Sequence, residues 1–193
     1  MLNRRRALMA AQGGAEEFGF DWVPSDGISP LVIYRMDGVT PTYTLTDSYL
    51  RVYAQASWKG ALIKPLKTLT YPDKYKVTVQ YSSVSGVNVS IYAAGRGDNM
   101  LNNYVKIGTS TSVKFIVHGA SSTTAGGTAP ASGTIALIVD KTAGHIYGEL
   151  NGTRYGPYSI SQDQSNADNA ITVEGNSTSM YYDIVHIKIE AVE

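Results

Sequence analysis

The stretch Thr134 to Tyr158, TIALIVDKTAGHIYGELNGTRYGPY, restricts the chain to folds that accept a tight β-hairpin. Ile135, Leu137 and Val139 alternate with Ala136, Ile138 and Asp140. After the turn Lys141-Thr142-Ala143-Gly144, Ile146, Gly148 and Leu150 alternate with Tyr147, Glu149 and Asn151. A period of two is the mark of a strand whose faces differ. Asn151-Gly152 then supplies the two positive-φ residues that a type I′ turn requires. We read this stretch as the central hairpin of a β-sandwich, with the remaining strands placed around it.

Composition agrees with an all-β chain. There are 14 Tyr against 3 Phe and 2 Trp, together with 19 Gly. Tyr, Thr, Val and Ile suit a half-buried pleated surface, and Gly, Asn, Asp and Ser suit turns. A chain of 193 residues buries roughly 70% of its unfolded surface and so supports a core of its own. With 0 Cys, no disulfide framework exists, and stability must come from that core. The 16 basic residues balance the 16 acidic ones, so a nucleic-acid partner, which calls for a basic excess, is not expected.

The first 20 residues differ from the rest. Arg4-Arg5-Arg6 is followed by an apolar run too short for a secretory h-region, and Gln12-Gly13-Gly14-Ala15-Glu16-Glu17 ends it. Neither a signal peptide nor membrane insertion is expected. Asn3 can cap a short helix that Gly13-Gly14 would stop. The sequence therefore divides into an arm, residues 1–20, and a sandwich domain, residues 21–193. The arm reads either as a leader or as a device for homo-oligomer assembly.

From Asp21 onward strand grammar dominates. Short strands are expected around Leu31–Arg35, Tyr43–Leu45, Ser48–Gln55, Trp58–Leu66, Val87–Ala93, Tyr104–Gly108 and Val113–His118. Tyr75 to Tyr81 alternates cleanly, with Tyr75, Val77, Val79 and Tyr81 inward. Ala120 to Gly133 reads as a low-complexity loop. Further strands at Ala170–Glu174 and Met180–Ala191 bring the expected number to about twelve, the spacing of a sandwich or barrel.

Three pieces carry a resemblance to a known family: the core strand Tyr75–Tyr81, the hairpin Thr134–Gly152, and the closing run Met180-Tyr-Tyr-Asp-Ile-Val-His-Ile-Lys-Ile-Glu190. From Asp21 to Glu193 the order of elements resembles the concanavalin A-like lectin/glucanase superfamily in its laminin-G-like form. The resemblance implies an antiparallel jelly-roll sandwich and speaks to fold more than to function. Met1 to Met9 also resembles the openings of prophage-encoded structural proteins, which implies a virion-associated or extracellular setting.

The glucanase branch of that superfamily carries paired carboxylates in a Glu-x-Asp-x-x-Glu-like run, as retaining hydrolysis demands two carboxyls about 5–5.5 Å apart. No such run occurs. Glu149, Glu174, Asp183 and Glu190 stand apart in the sequence, as do His118, His145 and His186. No catalytic residue is assigned, and a glycoside hydrolase is the third reading. Asp98, Asn99, Asn102 and Asn103 crowd one loop and offer hard oxygen ligands for Ca²⁺. Their ordinary role in turns explains them without a metal, so no cofactor is required.

Outward aromatic side chains are the most suggestive feature. If the apolar set faces inward, the opposite face carries Tyr49, Arg51, Tyr53, Tyr92, Tyr104, Lys106 and Tyr147. Aromatic faces stack on the C–H surfaces of sugars while polar neighbours bond the hydroxyls, and Tyr also favours protein interfaces. The same residues also serve as cross-strand packing pairs. The leading expectation is a non-catalytic module that binds a glycan or surface polymer. The alternative is a purely structural assembly module.

Overall fold

The computed structural model describes residues 18–35, 40–54, 60–86, 89–93, 103–109, 114–128, 130–160 and 171–193. In chain order the first strands are β1 (Gly19–Trp22), β2 (Leu31–Arg35), β3 (Tyr43–Leu45), β4 (Leu50–Tyr53) and β5 (Ala61–Pro65). Next come β6 (Lys74–Ser85), β7 (Val89–Ala93), β8 (Tyr104–Gly108), β9 (Lys114–His118) and β10 (Ser122–Thr128). The last are β11 (Gly133–Asp140), β12 (His145–Leu150), β13 (Thr153–Ser159), β14 (Ile171–Gly175) and β15 (Tyr181–Ala191). A 3₁₀ turn, Pro24–Asp26, follows β1.

These strands form two antiparallel sheets. Sheet I has the order β13-β12-β11-β6-β15-β4-β3, with β1 paired to β15. Sheet II has the order β10-β9-β8-β7-β14-β5-β2. The two sheets pack face to face as an antiparallel jelly-roll sandwich.

The alternation read from the sequence sets the inner faces. Tyr75, Val77, Val79 and Tyr81 of β6, Ile135, Leu137 and Val139 of β11, and Leu50 and Val52 of β4 are all buried in one core. Val89, Ile91 and Val105 meet them from sheet II. Inside, Tyr81 and Tyr182 pack edge to face with centroids 5.1 Å apart. Their hydroxyls donate to carbonyl oxygens, Tyr81 to Pro130 at 3.0 Å and Tyr182 to Ile107 at 3.4 Å. Buried phenols need such partners. Burial pushes the Tyr81 hydroxyl up to about 12, and it raises that of Tyr182 further. Gly148 lets β12 approach sheet II closely, for a Cβ there would lie 2.4 Å from Val117 Cγ2.

The Asn151-Gly152 turn forms as expected, with φ of 50° and 83°. Its surroundings differ from expectation. The hairpin is not central, because β11, β12 and β13 make one flank of sheet I while β6 and β15 hold the middle. The described residues contain fifteen strands rather than about twelve. Ser122–Thr128, expected as loop, is the edge strand β10, paired to β9 with a register shift between Thr124 and Thr128. Gly19 and Phe20, expected in the arm, belong to β1 and pair with Glu190 and Ile189. Phe18 packs against Tyr71, with centroids 5.4 Å apart. The rest of the expected arm, residues 1–17, lies outside the described residues.

Candidate functional site

Tyr49, Arg51 and Tyr53 point away from the core, as the alternation of Leu50, Val52 and Ala54 requires. Antiparallel pairing sets Arg51 opposite Asp183 and Tyr53 opposite Tyr181. Arg51 Nε donates to Asp183 Oδ1 at 2.8 Å, and Nη2 donates to Oδ2 at 2.9 Å. The same guanidinium lies over the Tyr181 ring at 3.8 Å and over the Tyr49 ring at 5.2 Å. Tyr53 meets Tyr181 edge to face at 5.8 Å. The result is a ladder of aromatic and guanidinium planes on the outer face of sheet I, with Asp183 almost buried beneath it. The hydrogen bonds to Asp183 raise the Arg51 pKa above its ordinary value. The guanidinium is a fixed plane and a permanent charge.

Tyr147 shares that outer face but stands on β12, across β11 and β6 from the ladder. Arg154 lies 5.6 Å above its ring. Arg154 and Lys76 both bond Glu149. Burial by itself pushes the Glu149 carboxyl up, but these two basic partners outweigh it and hold the group below the usual carboxylate range.

The remaining predicted residues lie elsewhere. Tyr92, Tyr104 and Lys106 are on sheet II, so the single tyrosine face read from the sequence is split between two sheets. Tyr92 is also not open to solvent, since only 2% of it is exposed. Every residue of β7 is buried. The outward side of that strand holds a polar network instead. Tyr92 donates to the Glu174 carboxylate, which Lys106 Nζ approaches at 3.5 Å. Tyr104 packs on Tyr92 at 5.1 Å and stacks nearly flat on His118 at 4.6 Å.

Tyr181 and Asp183 complete the ladder; from the sequence, Asp183 is named only as an isolated strand carboxylate and neither residue is assigned to the binding face. The alternation of Tyr182 and Ile184, both buried, was the signal available for them.

Each strand carboxylate weighed in the sequence has a basic or phenolic partner. Asp183 is held by Arg51, Glu149 by Lys76 and Arg154, Glu174 by Tyr92 and Lys106, and Glu190 by Lys188. Among the described residues, no group of three or more His, Cys, Asp or Glu comes together to hold a metal ion. Asp98, Asn99 and Asn102, considered for Ca²⁺, lie outside the described residues, and Asn103 is buried. Among the described residues, no helix is long and apolar enough to cross a membrane.

No family model matches the sequence, and no curated protein matches it. Solved structures do match the fold. The chain is similar to part of a sialidase, with a TM-score of 0.66 at 11% identity over 91% of this chain and 19% of that one. It thus spans about a fifth of the sialidase's length. It is also similar to the exoplasmic/lumenal domain of VIP36 in its Ca²⁺/Man3GlcNAc-bound form. There the TM-score is 0.54 at 12% identity, over 93% of this chain and 90% of that one. A third likeness is to Domain 4 of AbnA, a GH43 extracellular arabinanase from Geobacillus stearothermophilus, in complex with arabinotriose. Its TM-score is 0.58 at 12% identity, over 91% of this chain and 92% of that one. At such identities the likeness is one of fold. The chain is an antiparallel jelly-roll sandwich of the concanavalin A-like type.

Proposed function

We propose that this protein is a non-catalytic carbohydrate-binding module. The observation that carries the proposal is the ladder of Tyr49, Arg51, Tyr181 and Tyr53, fixed by Asp183 on the outer face of sheet I. A ligand that stacks on flat rings and bonds to fixed polar groups fits a sugar better than an apolar molecule. The planes are held by cross-strand contacts before any ligand arrives, so little ordering cost falls on binding. Two similar sandwiches, the VIP36 domain and Domain 4 of AbnA, are seen with Man3GlcNAc and arabinotriose, which supports the same use of the fold here.

The non-catalytic part of the proposal rests on the carboxylates. A general acid needs a carboxyl with a raised pKa, beside a second carboxylate. Here Glu149 is shifted the other way, and each strand carboxylate bonds to a basic or phenolic partner. The proposal extends to a setting on a phage tail or cell surface, where many weak sites act together.

A shallow site of this kind binds with millimolar to micromolar affinity, about −4 to −8 kcal/mol. The test is a glycan array followed by titration of the best ligand. Tyr53→Ala should abolish or sharply weaken binding while the melting temperature barely moves. A variant that unfolds while binding per folded molecule is unchanged would make the ladder a packing device and refute the site.

A further inference from the structure

Strand β15 runs beneath two separate features of one face. At its start, Tyr181 and Asp183 belong to the ladder described above. At its end, Glu190 lines a cleft of about 340 Å³ together with Lys74, Lys76, Ile138, Tyr147 and Arg154. Strand register builds this cleft. Tyr147 of β12 faces Ile138 of β11, Ile138 faces Lys76 of β6, and Lys76 faces Glu190 of β15. One row across four strands thus carries a ring, an aliphatic side chain, a cation and an anion. The volume is at the lower end of the roughly 300–1,000 Å³ typical of small-ligand pockets.

The run from Asp183 to Glu190 covers roughly 20–25 Å at the rise of a strand. Between the two features His186 and Lys188 point to the same side, beside Gln80 and Thr78 of β6. The path from ladder to cleft is therefore polar throughout.

Charge on this path is already matched. Arg51 bonds Asp183, Lys76 and Arg154 bond Glu149, Lys74 lies 3.2 Å from Asp140, Lys188 bonds Glu190, and His186 lies 2.8 Å from Asp21. A polyanion would meet a carboxylate beside every base. A neutral ligand rich in hydroxyls accepts from the bases and donates to the carboxylates without displacing either.

We infer that the outer face of sheet I is one track for a linear neutral oligosaccharide, stacked on Tyr53 and Tyr181 at one end and seated against Tyr147 and Ile138 at the other. The inference rests on the carbohydrate reading and adds the ligand class and a second contact. Two linked contacts bind a chain that spans them more tightly than a fragment that reaches only one.

Affinity electrophoresis of the full chain through arabinan, mannan, xylan, mixed-linkage β-glucan, polygalacturonate and alginate gives the first arm. Retention by a neutral polymer is expected. Retention by the acidic polymers alone would overturn the neutral-ligand inference while leaving carbohydrate binding in place. No retention by any polymer would overturn both readings. The second arm titrates linear fragments of the retained polymer, from two to six units. Affinity should rise about tenfold or more with length. Tyr147→Ala should remove that gain, whereas Tyr147→Phe should keep it. A flat length series, with Tyr53→Ala still abolishing binding, would sink the track and spare the ladder.

Discussion

Arg51 and Asp183 face one another across β4 and β15 through two parallel hydrogen bonds of 2.8 and 2.9 Å. The aspartate side chain is only 5% exposed and the arginine 26%. Asp183→Asn keeps the shape but removes the charge and one acceptor, leaving a guanidinium with half of its partner. The expected loss is about 1–3 kcal/mol in urea unfolding. Sugar affinity should fall with it, because the guanidinium no longer holds the Tyr181 plane. Unchanged stability together with unchanged affinity would mean that the pair neither holds the sheet nor orders the ladder.

Tyr92→Phe tests the buried network on sheet II. It removes the hydroxyl that bonds Glu174 and leaves a carboxylate that is 2% exposed with one donor fewer. A destabilisation of about 1–3 kcal/mol is expected by thermal or chemical denaturation. A neutral result would show that the hydroxyl contributes nothing there.

Gly148 sets how closely β12 lies to sheet II. An added Cβ would press on Val117 Cγ2 at 2.4 Å and on Phe115 Cζ at 3.1 Å. Gly148→Ala should therefore cost about 1–3 kcal/mol by overpacking, although alanine generally favours a strand more than glycine does. The urea midpoint should fall while the m-value stays constant. A stabilised variant would show that the sheets separate freely at this point.

Tyr81 makes the domain sensitive to alkali. Its hydroxyl titrates at about 12 in the fold and at about 10 in an unfolded chain. The folded value is the raised one, so its contribution is complete below pH 10 and is lost as pH rises towards 12. Urea midpoints measured between pH 9 and 12 should fall. Tyr81→Phe should be less stable at pH 8, having lost the bond to Pro130, yet should show a shallower fall above pH 10. An equally steep fall in the variant would assign the alkaline limb to other groups.

Alternation in β4, β6 and β11 was enough to place Leu50, Val77, Val79, Leu137 and Val139 inside and Arg51 outside. β6 and β11 are long, with 12 and 8 residues, and the alternation around β4 runs on from Tyr49 to Ala54, so a single register satisfies each of them. Tyr92 shows the limit of the method. Alternation tells which side of a sheet a residue takes, not whether that side is wet. The partnership of Arg51 with Asp183 joins positions 132 residues apart, and local pattern carries no information about which strands become neighbours. β1 has four residues, too few for a period to emerge. β10 is rich in Ser, Thr and Gly, and its strand character comes from pairing with β9 rather than from its own side chains.

Strand β1 lies antiparallel to the far end of β15, with Gly19 beside Glu190 and Trp22 beside Ile187. Both strands therefore open outward at the same end. Tension applied between Phe18 and Val192 would load the Gly19–Glu190 pair first and part the ladder rung by rung, as a zip opens, rather than shearing all its bonds together. Under such a pull β1 is the weak link. The β6–β15 seam, which runs from Tyr75 to Ser85, keeps its length until β1 has come away, and the outer face of sheet I stays assembled on that seam after the first strand has gone.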